Sequence, residues 1–144
     1  MIYLDTSALL KLYIREEHSE AVQKWVESQK APLPMWNLQQ MELRNALRLK
    51  VFWGDISVVQ ADRLVQLFDQ RLCRGQYYCP EIDLARLHES FNELSRETMR
   101  LGCRTMDILH VACAIQLAPE VFVTFDARQR ELAQHASLPV LPES

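Results

Sequence analysis

Met1-Ile2-Tyr3-Leu4-Asp5-Thr6-Ser7 is an apolar run that ends in an acid and two hydroxyls. Ile2, Tyr3 and Leu4 are strand formers, and the following Ala8-Leu9-Leu10-Lys11-Leu12-Tyr13 has the composition of a helix. Asp5 therefore falls at a strand-to-helix turn. In an open α/β sheet, ligands bind in the crevice along that edge. The pattern recurs near the other end, where Val121-Phe122-Val123-Thr124-Phe125 runs into Asp126 and then a helical segment, Ala127 to Ala133. Two strands thus end in two aspartates.

Between them the chain alternates helix and strand. The first helix is expected to reach about Ile14, and a second carries Ala21, Val22, Trp25 and Val26 at helical spacing. Leu33 to Leu38 reads as a short strand that begins at prolines. A long helix follows from about Gln40 to Phe52, with Leu38, Glu42, Ala46, Leu49 and Trp53 on one face by the 3.6 repeat. Gly54 stops it, and Ser57-Val58-Val59-Gln60 has capping-box form for a helix that runs to about Leu72 and closes at Gly75. Tyr77 to Ile82 reads as an edge strand because of Pro80. Asp83 caps a helix that ends near Leu101-Gly102, and Thr105 caps another from Met106 to about Leu117. That last helix is apolar nearly all round, so it must be buried. Leu138 to Leu141 can form a final strand. Alternating strands and helices imply an α/β fold, a three-layer α/β/α sandwich around a mostly parallel sheet, built as one domain over residues 1–144.

With 49% hydrophobic residues and a formal net charge of -3, the chain can build a core but cannot coat nucleic acid by bulk charge. Contact with a polynucleotide must then come from a local basic patch. The four cysteines, Cys73, Cys79, Cys103 and Cys113, form no C-x-x-C pair and read as reduced core thiols of a cytosolic protein. No apolar run approaches the roughly 18 residues of a membrane span, and a strand starting at Ile2 leaves no room for a signal segment.

Each acid has a structural explanation. Asp5 and Asp126 precede helices and can cap them, and Asp107 lies in a first turn, where the dipole favours an anion. Glu42 can sit solvated near a helix start, and His110 can be a hydrogen-bonded core histidine. The argument for chemistry is their conjunction. Parallel topology sends both aspartate-bearing strand ends to one edge, and the helices that follow strands begin there too. Two carboxylates 5 Å apart at an effective dielectric near 20 repel by about 3 kcal/mol, which a divalent cation would offset. An all-oxygen set suits Mg²⁺ or Mn²⁺.

Leu4-Asp5-Thr6-Ser7, the glutamate of Met41-Glu42-Leu43-Arg44-Asn45-Ala46-Leu47, Asp107-Ile108-Leu109-His110-Val111-Ala112 and Val123-Thr124-Phe125-Asp126 resemble, in order and spacing, the PIN domain. More narrowly, they are similar to the VapC toxins of bacterial toxin-antitoxin pairs. The resemblance implies that Asp5, Glu42, Asp107 and Asp126 are metal-site acids, with Thr6 and Thr124 as supporting hydroxyls. The activity expected is metal-dependent endoribonuclease cleavage of RNA. Arg44, Arg104 and Arg128 are candidate phosphate contacts because each lies within a few residues of a site acid. The resemblance also implies a small antitoxin partner and a homodimer. The residues left exposed on the hairpin around Gly54 (Leu47, Val51, Phe52, Trp53, Ile56, Val58 and Val59) would mark a protein interface, about half of them packing inward. The alternative is a catalytically silent PIN-like module that binds protein. A phosphoryl-accepting receiver domain is disfavoured, since it needs a strand-end lysine and Val121 to Arg130 holds none.

Overall fold

The computed structural model describes residues 1–143. In chain order its elements are β1 (Ile2–Leu4), α1 (Thr6–Leu10), α2 (Ser19–Glu27), β2 (Leu33–Pro34), α3 (Asn37–Phe52), α4 (Val58–Cys73), β3 (Tyr77–Tyr78), α5 (Leu84–Leu94), α6 (Thr98–Leu101), α7 (Thr105–Leu117), β4 (Val121–Val123), α8 (Ala127–His135) and β5 (Val140–Leu141). A single 3-10 turn, Ser95–Glu97, separates α5 from α6. Every strand pair is parallel: β1 with β4, β4 with β5, and β2 with β3.

Strand alternation divides the core into two layers. Ile2 and Leu4 point to one face, where Ala8 and Leu9 of α1, Val22 of α2, Leu43 and Leu47 of α3 and Phe68 of α4 bury with them. Tyr3 and Phe122 point to the other, against Leu87 and Leu94 of α5, Val111 and Ala112 of α7 and Leu132 of α8. Helices therefore cover both faces, giving the expected α/β/α sandwich. Each fully buried leucine in these layers contributes about 1.5–3 kcal/mol through loss of apolar contact with water.

The sheet itself differs from one unbroken ladder. Hydrogen bonding divides it into β1-β4-β5 and β2-β3. Gln39 spans the gap: its Nε2 donates to the Leu4 carbonyl at 3.0 Å, and its Oε1 accepts from Trp36 N–H at 2.8 Å. A side-chain amide thus satisfies a strand carbonyl on one side and a helix-start N–H on the other, as a neighbouring peptide would.

Several boundaries move from the sequence reading. β2 ends at Pro34 and α3 starts at Asn37, because Trp36 turns into the core at 8% exposure and serves as the cap. The buried stripe of α3 is Gln39, Leu43 and Leu47, one position on from the expected face, and Leu49 and Trp53 face water. Commitment of Gln39 to β1 sets that rotation. α1 stops at Leu10, and bonds from Leu12 N–H to Leu9 O and from Tyr13 N–H to Leu10 O tighten the turn that follows. β3 stops at Tyr78, two residues before Pro80, which has no N–H to extend a ladder.

The helix expected to run to Leu101 breaks at Leu94, where the Ser95 hydroxyl donates to Asn92 O at 3.1 Å. The cap before α7 is Arg104 rather than Thr105, with Asp107 Oδ2 accepting the Arg104 N–H at 2.8 Å. The other caps form as read. Ser57 and Gln60 exchange bonds of 2.8 and 3.1 Å at the start of α4, and Asp83 Oδ1 accepts from Ala85 and Arg86.

Candidate active site

The β1-β4 register pairs Leu4 with Val123. One step further along both strands Asp5 and Thr124 stand side by side, and Asp5 N–H continues the ladder to Val123 O at 3.1 Å. The two strand-end aspartates are therefore not level with each other: Thr124 is the neighbour of Asp5, and Asp126 lies two residues beyond it.

Asp5 is 1% exposed. Its Oδ1 accepts from the Ser7 hydroxyl at 2.6 Å and from Ala8 N–H at 2.9 Å, which caps α1. Its Oδ2 accepts from the Thr124 hydroxyl at 2.5 Å. Burial raises its pKa above the ordinary 3.8, although the charge of His110 and the donors Ser7, Thr124 and Ala8 oppose the rise. The same side chain that caps α1 is thus also tied to the end of β4.

From Thr124 the network continues. The Thr124 hydroxyl oxygen accepts from Asp126 N–H at 3.1 Å, Asp126 Oδ1 accepts from Gln129 N–H at 3.0 Å, and Gln129 Nε2 donates to the Asp107 carbonyl at 3.2 Å. Gln129, 2% exposed, links the start of α8 to the first turn of α7. Asp126 caps α8, and Asp107 directs its carboxylate to the Arg104 backbone.

Glu42 belongs to a second cluster. Its Oε1 accepts from the Thr6 hydroxyl and lies 2.6 Å from His110 Nε2, while His110 Nδ1 is 2.9 Å from the Tyr3 hydroxyl. Burial pushes Glu42 upward, but the hydrogen bond and charge of His110 and the Thr6 hydroxyl outweigh it, so its pKa falls below 4.5. Tyr3 in turn stacks on Phe122 at 5.2 Å. His110 is thus a buried histidine bonded on both ring nitrogens, and Thr6 joins this cluster to Asp5 through adjacent backbone.

The arginines separate. Arg44 Nη2 donates to Asp69 at 2.6 Å and its guanidinium lies over the Phe68 ring, so it ties α3 to α4. Arg104 and Arg128 are exposed and make no ion pair among the described residues. Ser7, Gln129 and Arg130 are additions to the set read from sequence. Arg130 Nη2 donates to the Thr124 carbonyl at 3.0 Å and Nη1 donates to the Pro142 carbonyl, fixing the end of β4.

Among the described residues, no three His, Cys, Asp or Glu side chains are gathered tightly enough to form a ready cation cage. The donor set nevertheless fits a hard divalent ion by its chemistry. It consists of carboxylate oxygens, and the desolvated Asp5 is the kind of buried charge such an ion offsets. The four cysteines are free, but only Cys103 and Cys113 lie in the core, since Cys73 and Cys79 are exposed at the end of α4 and after β3. Burial pushes the Cys113 thiol up to about 12, far from a thiolate ligand at neutral pH.

The PIN domain family model matches residues 2–134. Ribonuclease VapC46 of Mycobacterium tuberculosis (strain ATCC 25618 / H37Rv) is 28% identical over 145 residues, covering 99% of this chain and 98% of its own length. Ribonuclease VapC47 of Mycobacterium tuberculosis (strain CDC 1551 / Oshkosh) is 28% identical over 133 residues, covering 89% and 86%. Among solved structures, FitAcB from Neisseria gonorrhoeae superimposes with a TM-score of 0.67 at 18% identity over 97% of this chain and 96% of that one. VapBC-1 from nontypeable Haemophilus influenzae gives 0.62 at 16% identity over 97% and 96%. At those identities the two structures speak for the fold.

Proposed function

The chain belongs to the PIN domain family, and on that premise we propose that it is a metal-dependent endoribonuclease, the toxin of a toxin-antitoxin pair. The similarity to two ribonucleases along nearly the whole chain supports the nuclease reading. The observation that carries it is Asp5. A fully buried carboxylate, raised in pKa and held by three donors at the end of a parallel strand, is costly for folding alone and suited to a site that brings in positive charge.

Asp5, Glu42, Asp107 and Asp126 would hold Mg²⁺ or Mn²⁺, which when bound supplies an activated water for in-line attack on an RNA phosphodiester and neutralises the leaving 3′-oxygen. The protein's own part is orientation. Ser7, Ala8 and Thr124 fix both oxygens of Asp5. Thr6 and His110 fix Oε1 of Glu42, and the Tyr3 hydroxyl fixes the His110 ring. Arg104 and Arg128, exposed beside Asp107 and Asp126, are the proposed phosphate contacts, whereas Arg44 is engaged with Asp69.

A cytoplasmic setting is in keeping with four free cysteines and with the absence, among the described residues, of any helix long and apolar enough to cross a membrane. The proposed partners are a small antitoxin and a second copy of the chain. The exposed apolar side chains of Phe52, Trp53, Val58 and Val59 at the α3-α4 hairpin support a protein partner.

The deciding experiment is RNA cleavage by the purified protein with Mg²⁺ or Mn²⁺ and with chelator, run beside Asp5→Asn. Cleavage that needs the ion and disappears in the variant is expected. Absence of cleavage by a folded wild-type protein would favour the silent binding module instead.

A further inference from the structure

Phe125 lies between Thr124 and Asp126, and its backbone N–H is held by the Ser7 hydroxyl oxygen at 2.9 Å, whose proton goes to Asp5. Its ring is thereby anchored to the acid edge. Lys11 Nζ sits 4.6 Å from the ring centroid, and the imidazole of His18 stacks on the ring with centroids 5.3 Å apart and planes 16° from parallel.

His18 is unusual in two respects. Its φ of +68° is in the left-handed region, disfavoured for a residue with a Cβ, and its side chain makes no capping bond to α2. Its one ionic contact among the described residues, Nε2 to Glu17 Oε1 at 3.5 Å, joins two exposed groups and contributes little. What the conformation achieves is the stack on Phe125, with the side chain still 52% exposed. Beside it opens a shallow cavity of about 530 Å³ that Arg15, Lys24 and Trp25 also line. Of the acids there, Glu16 is paired with Lys11 and Glu20 with Arg15, while Lys24 makes no ion pair among the described residues.

We propose that His18, backed by Phe125, is a stacking platform for an unpaired base of the RNA substrate, with Lys24 placed for an adjoining phosphate. An aromatic face next to an uncommitted cation is how single-stranded nucleic acid is commonly held, since every base has a π-face. The inference rests on the nuclease reading, and it assigns a binding role separate from the acids: the platform sets affinity and the acids set the rate.

The test uses the full chain and a mixed-sequence single-stranded RNA ten-mer. His18→Gly removes the ring and suits the positive φ, and His18→Phe keeps a ring. For His18→Gly, KM is expected to rise about tenfold with kcat within about twofold of wild type, as loss of one stacked base predicts, and His18→Phe is expected to restore KM. In the cleavage-deficient Asp5→Asn background, direct binding of the ten-mer should weaken by the same factor. An abasic nucleotide at the contacted position should erase the difference between His18 and Gly. An unchanged KM for a folded His18→Gly, or a loss that His18→Phe does not rescue, overturns the platform while leaving the nuclease standing. A wild-type protein that neither binds nor cuts the ten-mer overturns both.

Discussion

Asp5 and Glu42 carry opposite shifts, and the difference gives each acid its own signature. Asp5 is raised, chiefly by burial, so its contribution to stability is full below the unfolded value of 3.8 and is lost as pH rises through the folded value. Burial thus works against its charged form. Asp5→Asn keeps an acceptor for Ala8 N–H and removes the charge. Without divalent ion it should melt above wild type at neutral pH, converge with it toward pH 3.8, and cut no RNA. Glu42 is depressed, because His110 and Thr6 outweigh its burial, so its stabilisation is present above 4.5 and lost as pH falls through the folded value. Glu42→Gln should therefore melt below wild type at neutral pH and approach it in acid. Melting curves of the three proteins in chelator across that range decide the matter; parallel curves would contradict both signs. Thr124→Val should cost about 1–3 kcal/mol in chemical denaturation, because it strips a donor from buried Asp5. Asp5 is legible in sequence because it follows a strand and caps a helix. Gln129 and Gln39 are not, since their amides act on backbone groups brought near only by the fold.

At the scale of elements, local signals carried well where they were self-contained. The Ser57 and Gln60 exchange, the Asp83 cap and the left-handed glycines at Gly54 and Gly75 are fixed by neighbours a few residues away. The uniformly apolar run in α7 likewise becomes a buried helix, with Val111, Ala112, Cys113 and Ala114 fully enclosed. What failed was the rotation of α3, where a stripe starting at Leu38 fits the repeat as well as one starting at Gln39. Tertiary demand decides between them: the Leu4 carbonyl faces a gap between two parallel ladders, and Gln39 supplies a donor there. Gln39→Leu should accordingly destabilise the protein by about 2 kcal/mol or more, because it orphans a strand carbonyl and the Trp36 N–H together. Urea unfolding measures this, and a midpoint unchanged at constant slope would mean that water or another group replaces the amide.

For the molecule as a whole, the two buried layers leave the α3-α4 hairpin projecting with an apolar end. Phe52 is 82% exposed, Trp53 60%, Val58 63% and Val59 58%, whereas Leu47 on the same hairpin is fully buried. The end is held in shape: the Lys50 carbonyl accepts from Asp55 N–H at 2.9 Å, and Gly54 takes the φ of +79° that the turn requires. Four large apolar side chains on a fixed turn cost little to order on binding, which favours a protein partner. The toxin reading supplies one in the antitoxin, and the same reading makes the hairpin dispensable for chemistry, since no site acid lies on its tip. Trp53→Asp combined with Val58→Asp should therefore leave the melting temperature and RNA cleavage near wild type, because exposed substitutions away from core contacts shift stability by about 0.5 kcal/mol or less. The same pair should weaken binding of the proposed antitoxin, measured by titration calorimetry, and should release cleavage from inhibition. Light scattering of the unpartnered variant tells whether a second copy occupies the tip instead, as a fall in mass from dimer to monomer. Undiminished antitoxin affinity together with unchanged mass would show that these four side chains face only water.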